Sequence, residues 1–202
     1  MGRMIGSSSI SFDKPPFIIE GASIVGQKEG DGPLGKLFDV VEQDPMLGQE
    51  TWEEAESLLQ KEAIQKLLFK AGMSKEEIRY IFGGDLLGQL IATTFGILEF
   101  EVPFFGLYGA CSTMGEALSL GAVMVEAGNA DNVIAMASSH FASAERQFRF
   151  PLAYGNQRPY AATWTVTGCG AVIISTKKGF AKITGITTGK IVDFGVKDAQ
   201  NM

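Results

Sequence analysis

GLYGACSTMGEALSLGAVMVEAG, residues 106–128, is the stretch that decides the fold of this 202-residue chain. It is typical of the end of a buried strand, a tight turn of glycine and alanine, and a long apolar helix. Thr113 and Glu116 have the T-x-x-E spacing of a capping box, which predicts that the helix begins at Ser112 or Thr113. Gly128 is placed to end the helix.

Cys111 lies at the joint between the predicted strand and the predicted helix. Apolar side chains point in nearly every direction around this helix, which indicates that it is buried on most sides. The N-terminus of a helix carries the positive end of its dipole, where a thiolate is favoured. We therefore expect Cys111 to be reactive and to lie in a pocket, and the alternative is a small residue packed at a tight turn.

Strands and helices alternate along the rest of the chain. The segments that predict strands are 17–25, 78–82, 102–107 and 132–138, with an antiparallel pair at 166–176 and 180–186. A capping box at Thr51 predicts a helix that ends at Gly72, and a second helix is predicted over 86–99. The segments 26–49 and 139–165 are predicted as loops, the first with a short helical turn at 37–41. Continuous apolar strands of this kind predict an α/β fold, with a mostly parallel sheet covered by helices on both faces.

The composition excludes several classes of function. The net charge of -6 and the pI of about 4.9 argue against general nucleic-acid binding, which depends on a basic surface. No run of about 18 uncharged apolar residues is present, so we expect no membrane-spanning helix. Cys111 and Cys169 form no C-x-x-C pair and the first residues do not resemble a signal peptide, which favours a reduced, cytosol-like compartment.

The order of motifs resembles a known superfamily. GACSTMGEAL (residues 109–118) opens a helix, ASSH (137–140) ends a strand, and GCGAVIIS (168–175) follows an aromatic loop. This order is similar to that of the thiolase and ketoacyl-synthase superfamily. Within it, the chain resembles the stage V sporulation protein AD family, which also matches the opening residues 6–35 and the closing residues 193–202.

The resemblance implies a thiolase-like fold built from two pseudo-symmetric halves, of which residues 1–202 would supply only the N-terminal half. It implies non-catalytic binding of dipicolinic acid, alone or as its calcium chelate, in support of its uptake into and release from bacterial spores, with no cofactor. It also implies a homodimer in the spore or forespore cytoplasm, held at the inner spore membrane by other proteins of a transport complex. An acyltransferase or condensing enzyme with Cys111 as nucleophile, and a scaffold subunit of the membrane complex, stay open as alternatives.

Sites in sheets of this kind gather at the carboxyl ends of the strands. The candidate ligand-binding residues there are Asp85, Cys111, Ser112, His140, Arg149, Tyr160 and Trp164. Arginine would pair with a carboxylate and the aromatic rings would stack on a pyridine ring. His140 would bond a ligand carboxylate, or alternatively would hold the next loop through backbone contacts. Asp85 would face the ligand or cap the next helix, whereas Cys169 is expected in the core and no metal site is expected.

Overall fold

The computed structural model describes residues 2–87, 91–148 and 165–197, without the side chains of 145–148. The strands in these ranges are β1 Arg3–Ile5, β2 Ser9–Ser11, β3 Phe17–Gly26, β4 Val40–Glu42, β5 Tyr80–Asp85, β6 Phe104–Gly106, β7 Asn132–Ser139, β8 Gly168–Ser175, β9 Ala181–Lys182 and β10 Gly185–Thr187. The helices are α1 Gln27–Gly30, α2 Trp52–Ala71, α3 Ile91–Ile97, α4 Thr113–Glu126 and α5 Phe141–Phe148.

The main sheet is mixed, with the strand order β4-β3-β8-β7-β5-β6 and β9 beside β3. Strands β7, β5 and β6 are parallel to one another and β4 is parallel to β3, whereas β8 is antiparallel to both of its neighbours. The predicted pairing of 166–176 with 180–186 is wrong. The second segment is divided into β9, which pairs with β3, and β10, which pairs with β2 in a small sheet with β1.

Helices cover both faces of the main sheet, as the apolar strands predict. Along β7, Ile134 and Met136 pack in one core cluster with the apolar side chains of α2. Val133 and Ala135 point the other way and pack in a second cluster with those of α4. Because successive side chains of a strand point to opposite faces, this alternation places α2 and α4 on opposite sides of the sheet.

The ends of α2 follow the predicted signals. Thr51 accepts a hydrogen bond from the backbone of Glu54, and the Glu54 carboxylate accepts one from the backbone of Thr51, so the capping box is confirmed. Gly72 ends the helix with a left-handed φ of 62°, a conformation that costs glycine little. None of the helices in the described ranges is long and apolar enough to cross a lipid bilayer.

Replacing Thr51 with alanine is expected to lower the free energy of unfolding by about 1 kcal/mol, because it removes the side-chain acceptor at the start of α2. The measurement is chemical denaturation followed by circular dichroism. Thr51→Ser keeps the hydroxyl and is the matched control, for which we expect little change. Equal losses of stability in Thr51→Ala and Thr51→Ser would show that the side-chain cap contributes nothing to the free energy of unfolding.

Helix α4 begins at Thr113, as predicted, and ends before Gly128, which has a φ of 76°. Its predicted capping box is wrong, because Thr113 already has helical backbone angles and its hydroxyl is buried without a partner among the described residues. The prediction of a helix buried on most sides is also wrong for this chain. One face packs on the sheet through Ala117, Gly121, Ala122 and Val125, while Leu120 on another side is exposed.

Two predicted loops contain regular structure. Segment 26–49 includes α1, a 3-10 turn at Gly35–Leu37 and the strand β4. The predicted helical turn at 37–41 is therefore displaced towards the N-terminus, because residues 40–42 pair with β3. In the segment 139–165, α5 begins at Phe141 directly after β7. Its described buried residues, Ala142, Ser143 and Ala144, are small, so they produce no strong apolar period.

Candidate functional site

The carboxyl ends of three parallel strands meet at one edge of the main sheet. Gly83 of β5 pairs with Gly106 of β6, and Asp85 pairs with Ser138 of β7. Cys111 follows β6 by way of a short loop, and His140 follows β7 directly. The register therefore confirms that the three strand ends singled out in the sequence belong to the same edge.

Cys111 lies in a 3-10 turn, Ala110–Ser112, that leads directly into α4. The turn is closed by a 2.8 Å hydrogen bond from the Ser112 backbone to the carbonyl of Gly109, and the Ser112 hydroxyl donates to the same carbonyl. Ala110 has a φ of 46°, which is uncommon for a residue with a Cβ. The thiol of Cys111 is exposed, so the strand-to-helix elbow presents it to solvent rather than to the core.

Asp85 is buried at the end of β5 and holds the start of α3. Its Oδ2 atom accepts hydrogen bonds from the Thr93 hydroxyl at 2.9 Å and from the Thr93 backbone at 3.4 Å. A carboxylate in this position stabilises the first turn of a helix through its free N–H groups. These contacts match the helix-capping alternative for Asp85.

Two residues of α2 that no motif in the sequence indicated as site residues lie beside Asp85. The Gln60 amide donates to the hydroxyls of Ser138 at 2.6 Å and Thr93 at 3.2 Å. The Glu56 carboxylate accepts from the hydroxyls of Ser138 and Ser143, each at 2.7 Å. The one sequence signal for them is that polar residues at 56 and 60 recur at the i, i+4 spacing beside the apolar positions of the same helix.

Burial dominates the electrostatics of Glu56, which is 2% exposed. Burial raises the pKa of the Glu56 carboxyl, the hydroxyls of Ser143 and Ser138 lower it in part, and the charge of Asp85 raises it further. The ionised form of Glu56 is therefore costly in the folded protein.

His140 is buried with both ring nitrogens bonded to the backbone. Nδ1 accepts from the N–H of Ala142 at 3.2 Å, so Nε2 carries the hydrogen and donates to the carbonyl of Pro45 at 2.7 Å. The ring lies against Trp52 and Phe141, with centroids 5.4 and 5.1 Å away. This geometry matches the alternative in which His140 holds a loop through backbone contacts, because its two nitrogens are bonded to Pro45 and Ala142.

The structure describes only some of the remaining candidate residues. Arg149, Tyr160 and Trp164 lie outside the described residues. Cys169 is buried in β8, as predicted, and burial followed by the charge of Glu56 raises the pKa of its thiol. In the described part of the chain, no group of three or more histidine, cysteine or carboxylate side chains could hold a metal ion.

Solved structures with similar folds include ketosynthases. The 3-oxoacyl-[acyl-carrier-protein] synthase III of Aquifex aeolicus VF5 superposes with a TM-score of 0.53 and 18% identity, covering 79% of this chain and 53% of its own. The priming β-ketosynthase of the R1128 polyketide pathway also has a TM-score of 0.53, with 16% identity, covering 87% of this chain and 52% of its own. At this identity the similarity shows the fold alone, and it confirms the thiolase-like class.

Sequence similarity defines the family more narrowly. The stage V sporulation protein AD of Bacillus subtilis (strain 168) is 40% identical over 200 residues, which are 99% of this chain and 59% of that protein. The chain thus spans about three-fifths of the length of this curated relative. A sequence model described as stage V sporulation protein AD matches residues 6–202. The chain therefore belongs to the stage V sporulation protein AD family.

Proposed function

We propose that the carboxyl edge around Cys111 is part of a non-catalytic site for dipicolinic acid, and that the protein supports uptake of this acid into spores and its release. Membership of a sporulation family supports the biological setting. The observation that supports a binding role for the residues described is the state of His140. Both of its nitrogens are bonded to the backbone, so it is not free to activate Cys111, and thiol nucleophiles are normally activated by an adjacent base.

The chemistry of the edge favours a ligand that carries a cation. Dipicolinate is a flat dianion, and the positive end of the α4 dipole beside Cys111 suits a carboxylate, although the N–H groups of Ser112 and Thr113 are bonded to Gly109 and Ala110. Asp85 at the same edge would repel a bare dianion, whereas the calcium chelate is neutral overall. Arg149, Tyr160 and Trp164 are proposed as further contacts, through bidentate pairing and ring stacking.

Isothermal titration calorimetry of the protein with dipicolinate, with and without calcium, tests this proposal. We expect saturable binding that Cys111→Ala weakens by tenfold or more, on the order of 1.4 kcal/mol, and that Asp85→Asn weakens to a similar extent when calcium is present. Ser119→Ala is the control, because its hydroxyl bonds only to Gly115 within α4 among the described residues. The absence of saturable heat with the wild-type protein, with and without calcium, would overturn the proposal.

An acyl-transfer enzyme is the second candidate, and the exposed Cys111 at a helix start of a ketosynthase-like fold favours it. Its thiolate would attack an acyl thioester, forming an acyl-cysteine and releasing the thiol of the carrier. Incubation with acyl-coenzyme A followed by mass spectrometry separates the two functions. An acyl adduct on Cys111 would favour the enzyme, and its absence would favour the binding protein.

Association is proposed with a second copy and with membrane partners. The last strand of the described sheet, β6, has exposed aromatic side chains at Phe105 and, just beyond it, Tyr108, and exposed apolar groups of this kind favour an interface. We propose a homodimer that is held at the inner spore membrane by other proteins of the transport complex.

Analytical ultracentrifugation tests the dimer. Co-sedimentation with spore membranes that persists in Cys111→Ala, together with normal dipicolinate uptake, would favour the scaffold alternative.

A further inference from the structure

One continuous chain of hydrogen bonds joins the two buried carboxylates, Asp85 and Glu56. The Gln60 amide lies at its centre and uses its Nε2 hydrogens on the hydroxyls of Thr93 and Ser138. Each hydroxyl must then direct its own hydrogen outward, Thr93 to Asp85 at 2.9 Å and Ser138 to Glu56 at 2.7 Å. Because an amide nitrogen only donates, the direction of every bond in this chain is defined.

The charges around Glu56 do not neutralise it. The charged group that acts on the pKa of Glu56 within the described residues is Asp85 on β5, which raises it. Burial and the charge of Glu56 raise the pKa of the Cys169 thiol on β8, so the thiol adds no positive charge. Helix α3 and strand β7 carry no charged side chain, the ring of His140 is bonded to the backbone, and the side chains of 145–148 on α5 lie outside the described residues. A buried carboxylate in such surroundings gains by taking up a proton.

A protonated Glu56 has a hydrogen-bond acceptor already in place in the Ser143 hydroxyl. Ser143 lies 2.7 Å from Oε2 of Glu56 and 3.0 Å from the carbonyl of His140, so it can donate to that carbonyl and accept the hydrogen of Glu56. Ser138 can continue to donate to Oε1 of Glu56. Protonation of Glu56 therefore leaves the chain of hydrogen bonds through Ser138, Gln60 and Thr93 to Asp85 intact.

We propose that Glu56 is a proton site coupled through Ser138, Gln60 and Thr93 to Asp85, so that a ligand carboxylate bound beside Asp85 enters together with one proton. The inference rests on the proposed function for the location of the ligand. The proton comes from solvent and adds to the Glu56 carboxylate, with no other bond made or broken. The negative charge of dipicolinate bound without calcium favours this uptake, and the Ser143 hydroxyl accommodates the proton by donating to the carbonyl of His140.

Calorimetry with dipicolinate in two buffers of different ionisation enthalpy, repeated at several pH values, measures the protons taken up per ligand. We expect uptake that approaches one proton in a limited pH range for the wild-type protein and falls towards zero in Glu56→Gln. Glu56→Gln is expected to fold, because the Ser143 hydroxyl has a second acceptor in the carbonyl of His140 at 3.0 Å and can accept from the new amide. Glu50→Gln, at an exposed position outside the network, is the control.

Carboxyl NMR titration of the unliganded protein provides a measurement that does not depend on ligand binding. Gln60→Met and Asp85→Asn should each shift the titration midpoint of Glu56, and unchanged midpoints would overturn the coupling. Saturable dipicolinate binding with equal proton uptake in wild type and Glu56→Gln would overturn the inference while leaving the proposed function intact. If no dipicolinate binds, the proposed function fails. The inference that a ligand brings one proton to Glu56 then fails too, even if the titration midpoints of Glu56 shift in the variants.

Discussion

Gly83→Ala is expected to lower the free energy of unfolding by about 3 kcal/mol. A Cβ atom at Gly83 would lie 2.5 Å from Cγ and 2.6 Å from the backbone oxygen of Met136, the residue that pairs with it across β5 and β7. The Met136 side chain can move, but its carbonyl belongs to a central strand that is paired on both sides. The strands must therefore separate, and the neighbouring Asp85–Ser138 pair would separate with them.

Gly170→Ala is the matched control, because Gly170 is also a strand glycine of the main sheet. Its Cβ would meet nothing within 4 Å, so the main effect is a reduced entropy of the unfolded chain and a gain of at most about 1 kcal/mol. Urea denaturation of the two variants beside the wild-type protein gives the comparison. Similar stabilities for Gly83→Ala and Gly170→Ala would contradict the close approach of β5 and β7.

His140→Ala is expected to lower the free energy of unfolding by about 3 kcal/mol, because it opens a cavity beside Trp52 and leaves two backbone groups without their partners. His140→Phe retains an aromatic ring but loses both hydrogen bonds, so it separates packing from hydrogen bonding. Because His140 holds the fold rather than the ligand, dipicolinate affinity should change less than twofold in variants that remain folded. A tenfold loss of affinity in folded His140→Phe would contradict this assignment.

The stability of the wild-type protein should depend on pH through His140. Burial lowers the pKa of His140 below its ordinary 6.5, although the bond to Pro45 partly offsets this. As the pH falls from the ordinary value towards the lowered one, the unfolded chain binds a proton that the folded protein excludes, so stability is lost. The raised pKa of Glu56 has the opposite effect on stability, but Glu56 is present in both wild type and His140→Phe, so its effect cancels in their difference. The stability difference between wild type and His140→Phe should therefore shrink between about pH 7.5 and 5.5, and a constant difference would contradict a buried neutral ring.

Local signals in the sequence predicted the core elements well. Thr51, Glu54 and Gly72 act within a few residues of α2, and the apolar runs of β3, β5 and β7 identify strands whatever their partners are. The positions of Cys111 at the elbow and of Asp85 and Ser138 at strand ends also follow from the order of elements, because parallel strands end at a common edge.

Contacts between distant segments decided how the strands pair and which partners the buried polar groups have. The pairing of β4 with β3 and the division of the last strands into β9 and β10 depend on partners far along the chain, which no local propensity specifies. Whether His140 bonds a ligand or the backbone depends on the carbonyl of Pro45, 95 residues away. The amino-acid sequence by itself determined the class of fold and the residues available at the strand ends, because periodicity and caps act over a few residues. Only the tertiary structure decided which polar groups are buried together, because Glu56 and Gln60 meet Asp85 by packing of α2 on the sheet.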